Sequence, residues 1–162
     1  MRKYVFVILI FFLFCNSFIL GNTFFSFKKN TVLPNLGVQK IAGKNMRLLE
    51  KNKAHLLIFC SFRSPLINNI VQFANNLERR YGKVQIKLVI IDKYVPQKKL
   101  LNRISGKIGV YIDKNRQYVK QLNILVAPTF VITDKSGNFV SMYVNWNTRN
   151  QVAIRQNLAR LR

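Results

Sequence analysis

Apolar residues fall along this chain in short blocks whose period switches between that of strands and that of helices. His55-Leu56-Leu57-Ile58-Phe59-Cys60 is a continuous apolar run of strand length, the mark of a strand buried on both faces. Leu66, Ile67, Ile70, Val71, Ala74 and Leu77 then recur at helical spacing, with Asn68, Asn69, Gln72, Asn75 and Asn76 on the opposite side. Ser64-Pro65 reads as the start of that helix, serine as N-cap and proline as first residue. Gly82 is its expected stop.

Val84 to Asp92 is the next strand. Pro96 to Ser105 reads as a short basic helix, Ile108 to Ile112 as a strand and Gln117 to Leu122 as another short helix. Thr129 to Thr133 and Phe139 to Val144 flank Asp134-Lys135-Ser136-Gly137-Asn138, a hairpin turn signal. Upstream, a hairpin-like stretch has Gly43-Lys44 near its turn. The tail from Thr148 to Arg162 predicts a basic helix with Val152, Ile154 and Leu158 as core contacts. Alternating strands and helices that close on strand, turn, strand and helix imply an α/β fold with a mixed sheet.

Ahead of this pattern, Met1-Arg2-Lys3 precedes an apolar run from Tyr4 to about Leu20, a basic head and hydrophobic stretch of secretory type. Residues 1–21 are expected to be a signal peptide, cut after Ser17 or Gly21, or else an uncleaved anchor. Residues 22–32 read as a linker and residues 33–162 as one domain. The expected location is periplasmic, or on the outer face of the cytoplasmic membrane.

Charge adds a constraint on partners. The 27 lysines and arginines face five acids, for a formal charge of +22. An anionic membrane face would relieve the self-repulsion. Lys93, Lys98, Lys99, Arg103 and Lys107 cluster, Lys114, Arg116 and Lys120 follow, and the tail adds Arg149, Arg155, Arg160 and Arg162. Nucleic acid is disfavoured by the export signal and by the absence of a recognition motif. Cysteine is scarce: Cys15 lies in the leader, so the body holds Cys60 alone and has no internal disulfide. One histidine, His55, read as a strand-edge residue, and five scattered acids build neither a metal set nor an acid–base pair, so neither metal nor cofactor is expected.

Three segments in order resemble the exported thioredoxin-like proteins of the TlpA/ResA type, the redoxin family that also includes the AhpC/TSA-like proteins. Leu57-Ile58-Phe59-Cys60-Ser61-Phe62-Arg63-Ser64-Pro65-Leu66 stands where that family runs from a strand into Trp-Cys-x-x-Cys and a helix. Val126-Ala127-Pro128-Thr129-Phe130-Val131-Ile132 is similar to its cis-proline segment, and Asp134-Lys135-Ser136-Gly137-Asn138 to its Asp-x-x-Gly hairpin. The resemblance spans about Leu33 to Leu161 and implies a thioredoxin-like fold.

It also exposes a departure. Phe62 takes the tryptophan position, Arg63 and Leu66 take the two cysteine positions, and Ser64 and Pro65 lie between. Dithiol exchange needs a thiolate to attack and a second thiol to resolve the mixed disulfide, and neither is there. The resemblance therefore implies a redox-inactive module for a peptide, an extracytoplasmic protein or an anion. Ala127, Pro128 and Thr129 would form the peptide groove, with Ala127 offering backbone groups, and Arg63 and Ser64 at the helix start would receive an anion. The alternative is a thiol oxidoreductase or peroxidase that uses Cys60 alone, which requires an exposed, low-pKa thiolate. Trp146 is expected to cap the core.

Overall fold

A computed structural model describes residues 28–41, 43, 45–92 and 98–161. The expected leader, with Cys15, residues 22–27 of the expected linker, Lys44, Lys93, Pro96 and Arg162 lie outside the described residues. The strands are β1 (Gly37–Lys40), β2 (Asn45–Arg47), β3 (His55–Cys60), β4 (Gln85–Ile90), β5 (Gly109–Ile112), β6 (Thr129–Thr133) and β7 (Phe139–Val144). The helices are α1 (Ile67–Arg80), α2 (Lys98–Leu101), α3 (Gln117–Gln121) and α4 (Thr148–Arg160). The strands form one mixed sheet in the order β2-β1-β5-β4-β3-β6-β7. β3, β4 and β5 are parallel neighbours, while β6 runs antiparallel beside β3 and β7 antiparallel beside β6.

β3 is central, which is why its six residues are all buried. Its side chains alternate between two cores. Leu56, Ile58 and Cys60 join Ile70, Ala74 and Leu77 of α1 and Ile154 and Leu158 of α4. Leu57 and Phe59 join Tyr118, Val119 and Leu122 on the other face. Each fully buried Leu-sized side chain contributes about 1.5–3 kcal/mol, so the two faces together hold the sheet. Trp146 is half-buried on the first face, edge-on to Phe73 at 5.4 Å and 6.3 Å from Phe130.

Several boundaries differ from the sequence expectation. α1 begins at Ile67, not at Ser64-Pro65, with Leu66 as a cap residue that makes no side-chain cap bond. Ser64 Oγ instead accepts from the Leu66 amide at 3.2 Å, and Ser64 O accepts from Ile67 N at 3.0 Å, so serine closes the turn that precedes the helix. α1 ends at Tyr81, whose amide reaches Leu77 O, without a left-handed glycine at Gly82. Among the described residues α2 has four helical residues and ends at Leu101, short of the expected Ser105. Val152 is 44% exposed and is not a core contact. The part of the expected linker next to the domain is tied down: Asn30 N donates to Phe139 O at 2.9 Å and Phe139 N to Thr31 O at 2.8 Å.

Candidate functional site at the loops beside β3 and β6

The register of β3 on β6 decides which loops meet. Phe59 pairs with Thr129, so the chain leaving β3 as Ser61–Leu66 emerges beside the chain entering β6 as Leu125–Pro128. The Ala127–Pro128 peptide bond is cis, as expected from the sequence. Pro128 is buried and Ala127 half-buried. Pro128 O accepts from Asn145 N at 2.9 Å, and Thr129 Oγ1 donates to Val126 O at 2.6 Å. The Ala127 N–H and C=O make no hydrogen bond among the described residues.

Just before this bond stand Leu125 and Val126, 67% and 43% exposed. Sequence reasoning did not single them out. The available signal was a run of apolar residues from Ile124 to Ala127 with no strand or helix period to bury all of it.

Across from them, Phe62 is buried, Arg63 and Pro65 are exposed, and Ser64 and Leu66 are half-buried. Ser61 organises this loop. Its Oγ donates to Asp92 Oδ2 at 2.5 Å and accepts from Arg63 N at 3.1 Å, while Ser61 O accepts from Ser64 N at 3.2 Å. The amides of Arg63, Ser64, Leu66 and Ile67 are thus already bonded to Ser61 and Ser64. The open cluster of donors expected to receive an anion at Arg63 and Ser64 is therefore occupied from within the loop.

Cys60 is the last residue of β3 and is fully buried. Burial, and next the negative charge of Asp92, push its thiol up to about 12. A thiol there stays protonated at neutral pH and faces the core, the opposite of the exposed thiolate that nucleophilic chemistry requires. It is the single cysteine among the described residues.

The five acids hold the fold together. Glu50 accepts from Lys87 Nζ at 2.7 Å and from Lys53 Nζ at 2.9 Å. Its carboxyl is held down at about 2, chiefly by hydrogen bonds from Lys87 and then Lys53. The Lys87 side chain is only 2% exposed, and its ammonium also donates to Leu48 O at 2.7 Å. Glu78 lies 3.7 Å from Lys107 Nζ and accepts from Ser105 Oγ. Asp113 accepts from the amides of Gln117 and Val119 at the start of α3. Asp134 accepts from Ser136 N and Asn138 N in the β6–β7 turn, where Gly137 has φ +82°.

His55 is fully buried at the start of β3, within the sheet and not at an open edge. Glu50 N donates to its Nε2 at 3.0 Å, which places the ring proton on Nδ1, 3.3 Å from Thr133 Oγ1. Burial, and secondarily Lys87, lower its pKa to about 4. No group of three or more His, Cys, Asp or Glu could hold a metal among the described residues. No helix among them is long and apolar enough to cross a membrane.

The sequence matches no family model and no curated protein. The fold has many solved counterparts. A protein assigned as thiol:disulfide interchange protein DsbE from Chlorobium tepidum superimposes with a TM-score of 0.72 at 17% identity, covering 84% of this chain and 99% of that one. A peroxiredoxin-like protein from Aquifex aeolicus gives 0.67 at 16% identity, over 81% and 87% of the two chains. A secreted disulfide oxidoreductase from Mycobacterium tuberculosis, homologous to E. coli DsbE, gives 0.66 at 14%, over 78% and 96%. The chain has the thioredoxin-like fold.

Proposed function

We propose that this domain is a redox-inactive thioredoxin-like module that holds an extended peptide or protein segment against the loops Ser61–Leu66 and Leu125–Pro128. The observation that carries the reading is the state of Ala127. Its backbone donor and acceptor are unpaired among the described residues, and two exposed apolar side chains precede it. An extended segment could bond to Ala127 as an added strand while its side chains cover Leu125 and Val126. Nothing in these loops offers a thiol, and burial keeps Cys60 out of reach. The excess of basic residues would speed encounter with an acidic partner. The basic head and apolar run within residues 1–21 support an exported location, where such a partner would be extracytoplasmic.

The test is an NMR titration with an unfolded, carboxymethylated protein as the extended probe. The amide of Ala127 should shift on binding, and Leu125→Asp/Val126→Asp should weaken binding at least tenfold with circular dichroism unchanged. An Ala127 amide that stays still at saturation refutes the reading.

A further inference from the structure

On the solvent side of α1 lies a cleft of about 460 Å³ that no residue of Ser61–Leu66 or Leu125–Pro128 lines. Its floor is the amide stripe Asn68, Asn69, Gln72, Asn75 and Asn76, with Arg79 and Arg103 at its margins. Asparagine is a poor helix former, so four of them on one helical face need a reason. Asn75 has a structural one: its Nδ2 donates to Arg103 O at 2.8 Å and its Oδ1 accepts from Ser105 N at 2.9 Å, fixing the loop after α2.

The other amides are arranged differently. Arg103 Nη1 donates to Asn68 Oδ1 at 2.9 Å, and Arg79 Nη2 donates to Asn76 Oδ1 at 2.5 Å. Each guanidinium is therefore held by an amide oxygen, and the amide NH2 groups and remaining guanidinium N–H groups are left as donors. No carboxylate lines the cleft. The nearest, Glu78, is buried and turned to Lys107 and Ser105. Asn69 and Gln72 are exposed and make no side-chain hydrogen bond among the described residues. Each offers a donor beside an acceptor, the pattern that pairs with neighbouring hydroxyls.

We infer that this cleft binds an acidic saccharide. Arg79 and Arg103 would take its anionic groups, and Asn69 and Gln72 the hydroxyls between them. The guanidiniums are anchored eight residues apart on the helix, a spacing of about 12 Å along its axis. That separation suits an extended ligand with repeated charges better than a single small anion. The charge around the cleft is uniformly basic at its rim, so the attraction is not opposed locally.

The experiment is an NMR titration of the whole protein with trigalacturonic acid at fixed ionic strength, read on the backbone amides of residues 68–76 in every variant and, where they are present, on the side-chain amides of Asn69 and Gln72. Neutral galactotriose and inorganic phosphate serve as comparators. Saturable shifts with trigalacturonic acid are expected, weakened at least tenfold by Arg79→Gln/Arg103→Gln and several-fold by Asn69→Ala/Gln72→Ala. Arg149→Gln/Arg160→Gln removes the same charge elsewhere and should leave affinity unchanged. An equal loss in that control pair would show diffuse attraction to a basic surface and overturn the proposal. Equal binding of phosphate, or of the neutral trisaccharide, would overturn it as well.

Discussion

Acidification from pH 7 to pH 4 should destabilise this domain through His55, and the size of the effect follows from its surroundings. The unfolded side chain takes a proton near 6.5, whereas the folded one resists it until about 4. A folded pKa lowered in this way means that the unfolded state binds the extra proton across that window. Stability then falls as pH drops through it, and the penalty levels off below about 4. The expected slope is about 1.4 kcal/mol per pH unit, and about 3 kcal/mol in all. The cause is first burial, since the ring is fully enclosed, and then the nearby lysine charge. The Nε2 that would gain the proton already accepts the Glu50 amide, and Lys87 stands close by. Urea unfolding at pH 7, 5.5 and 4.5 measures the slope, and His55→Gln, which keeps an acceptor for the Glu50 amide, isolates the histidine contribution. The variant should lose roughly the slope of one proton relative to wild type. Identical pH slopes in the two proteins would refute the argument.

Three further outcomes follow from the core ion pair and the buried thiol. Glu50→Ala strands the Lys87 ammonium in the core, and because Glu50 is itself 37% exposed, water can partly replace it; the cost should be about 2–3 kcal/mol, less than for a fully enclosed pair. Lys87→Met removes the charge along with the pair and should cost only about 1 kcal/mol, the share of the Leu48 carbonyl left without its donor; chemical denaturation in which Lys87→Met proves the costlier change would contradict this. Cys60 should resist alkylation by iodoacetamide at pH 8 in the native protein and react fully in 6 M guanidinium, as followed by mass spectrometry; rapid native labelling would mean that the thiol is not held as described.

Much of the fold was legible in the sequence because its signals are local or strongly periodic. The apolar run of β3, the helical stripe of α1, and the turn chemistry of Asp134 and Gly137 each specify their element with little help from the rest of the chain. The start of α1 was not legible in the same way. Ser64-Pro65 has the composition of a cap, yet the Ser64 hydroxyl bonds two residues ahead, within a turn organised by Ser61 from the end of β3. Lys87 is a clearer case. Its neighbours in Gln85-Ile86-Lys87-Leu88 alternate like a strand with one solvated face, but β4 lies between β3 and β5, and the ammonium finds partners only because Leu48 and Glu50 fold over it. At the candidate site, the cis peptide bond could be read from a short motif. The engagement of the Arg63 and Ser64 amides depends on a serine–aspartate contact that spans two strands.

The roles of the acids have a wider consequence. Glu50 neutralises a core lysine, Glu78 ties down Ser105, Asp92 holds Ser61, Asp113 caps α3 and Asp134 closes a hairpin. Hardly any negative charge is left to stand among the outer lysines and arginines, so their compensation has to come from dissolved ions gathered around the molecule. In about 0.01 M electrolyte the screening length is near 30 Å and distant cations repel one another; at about 0.15 M it shrinks to roughly 8 Å and only neighbours do. Desalting alone should therefore act on this protein as a mild denaturant, with the ionic atmosphere as much a part of its native state as the sheet.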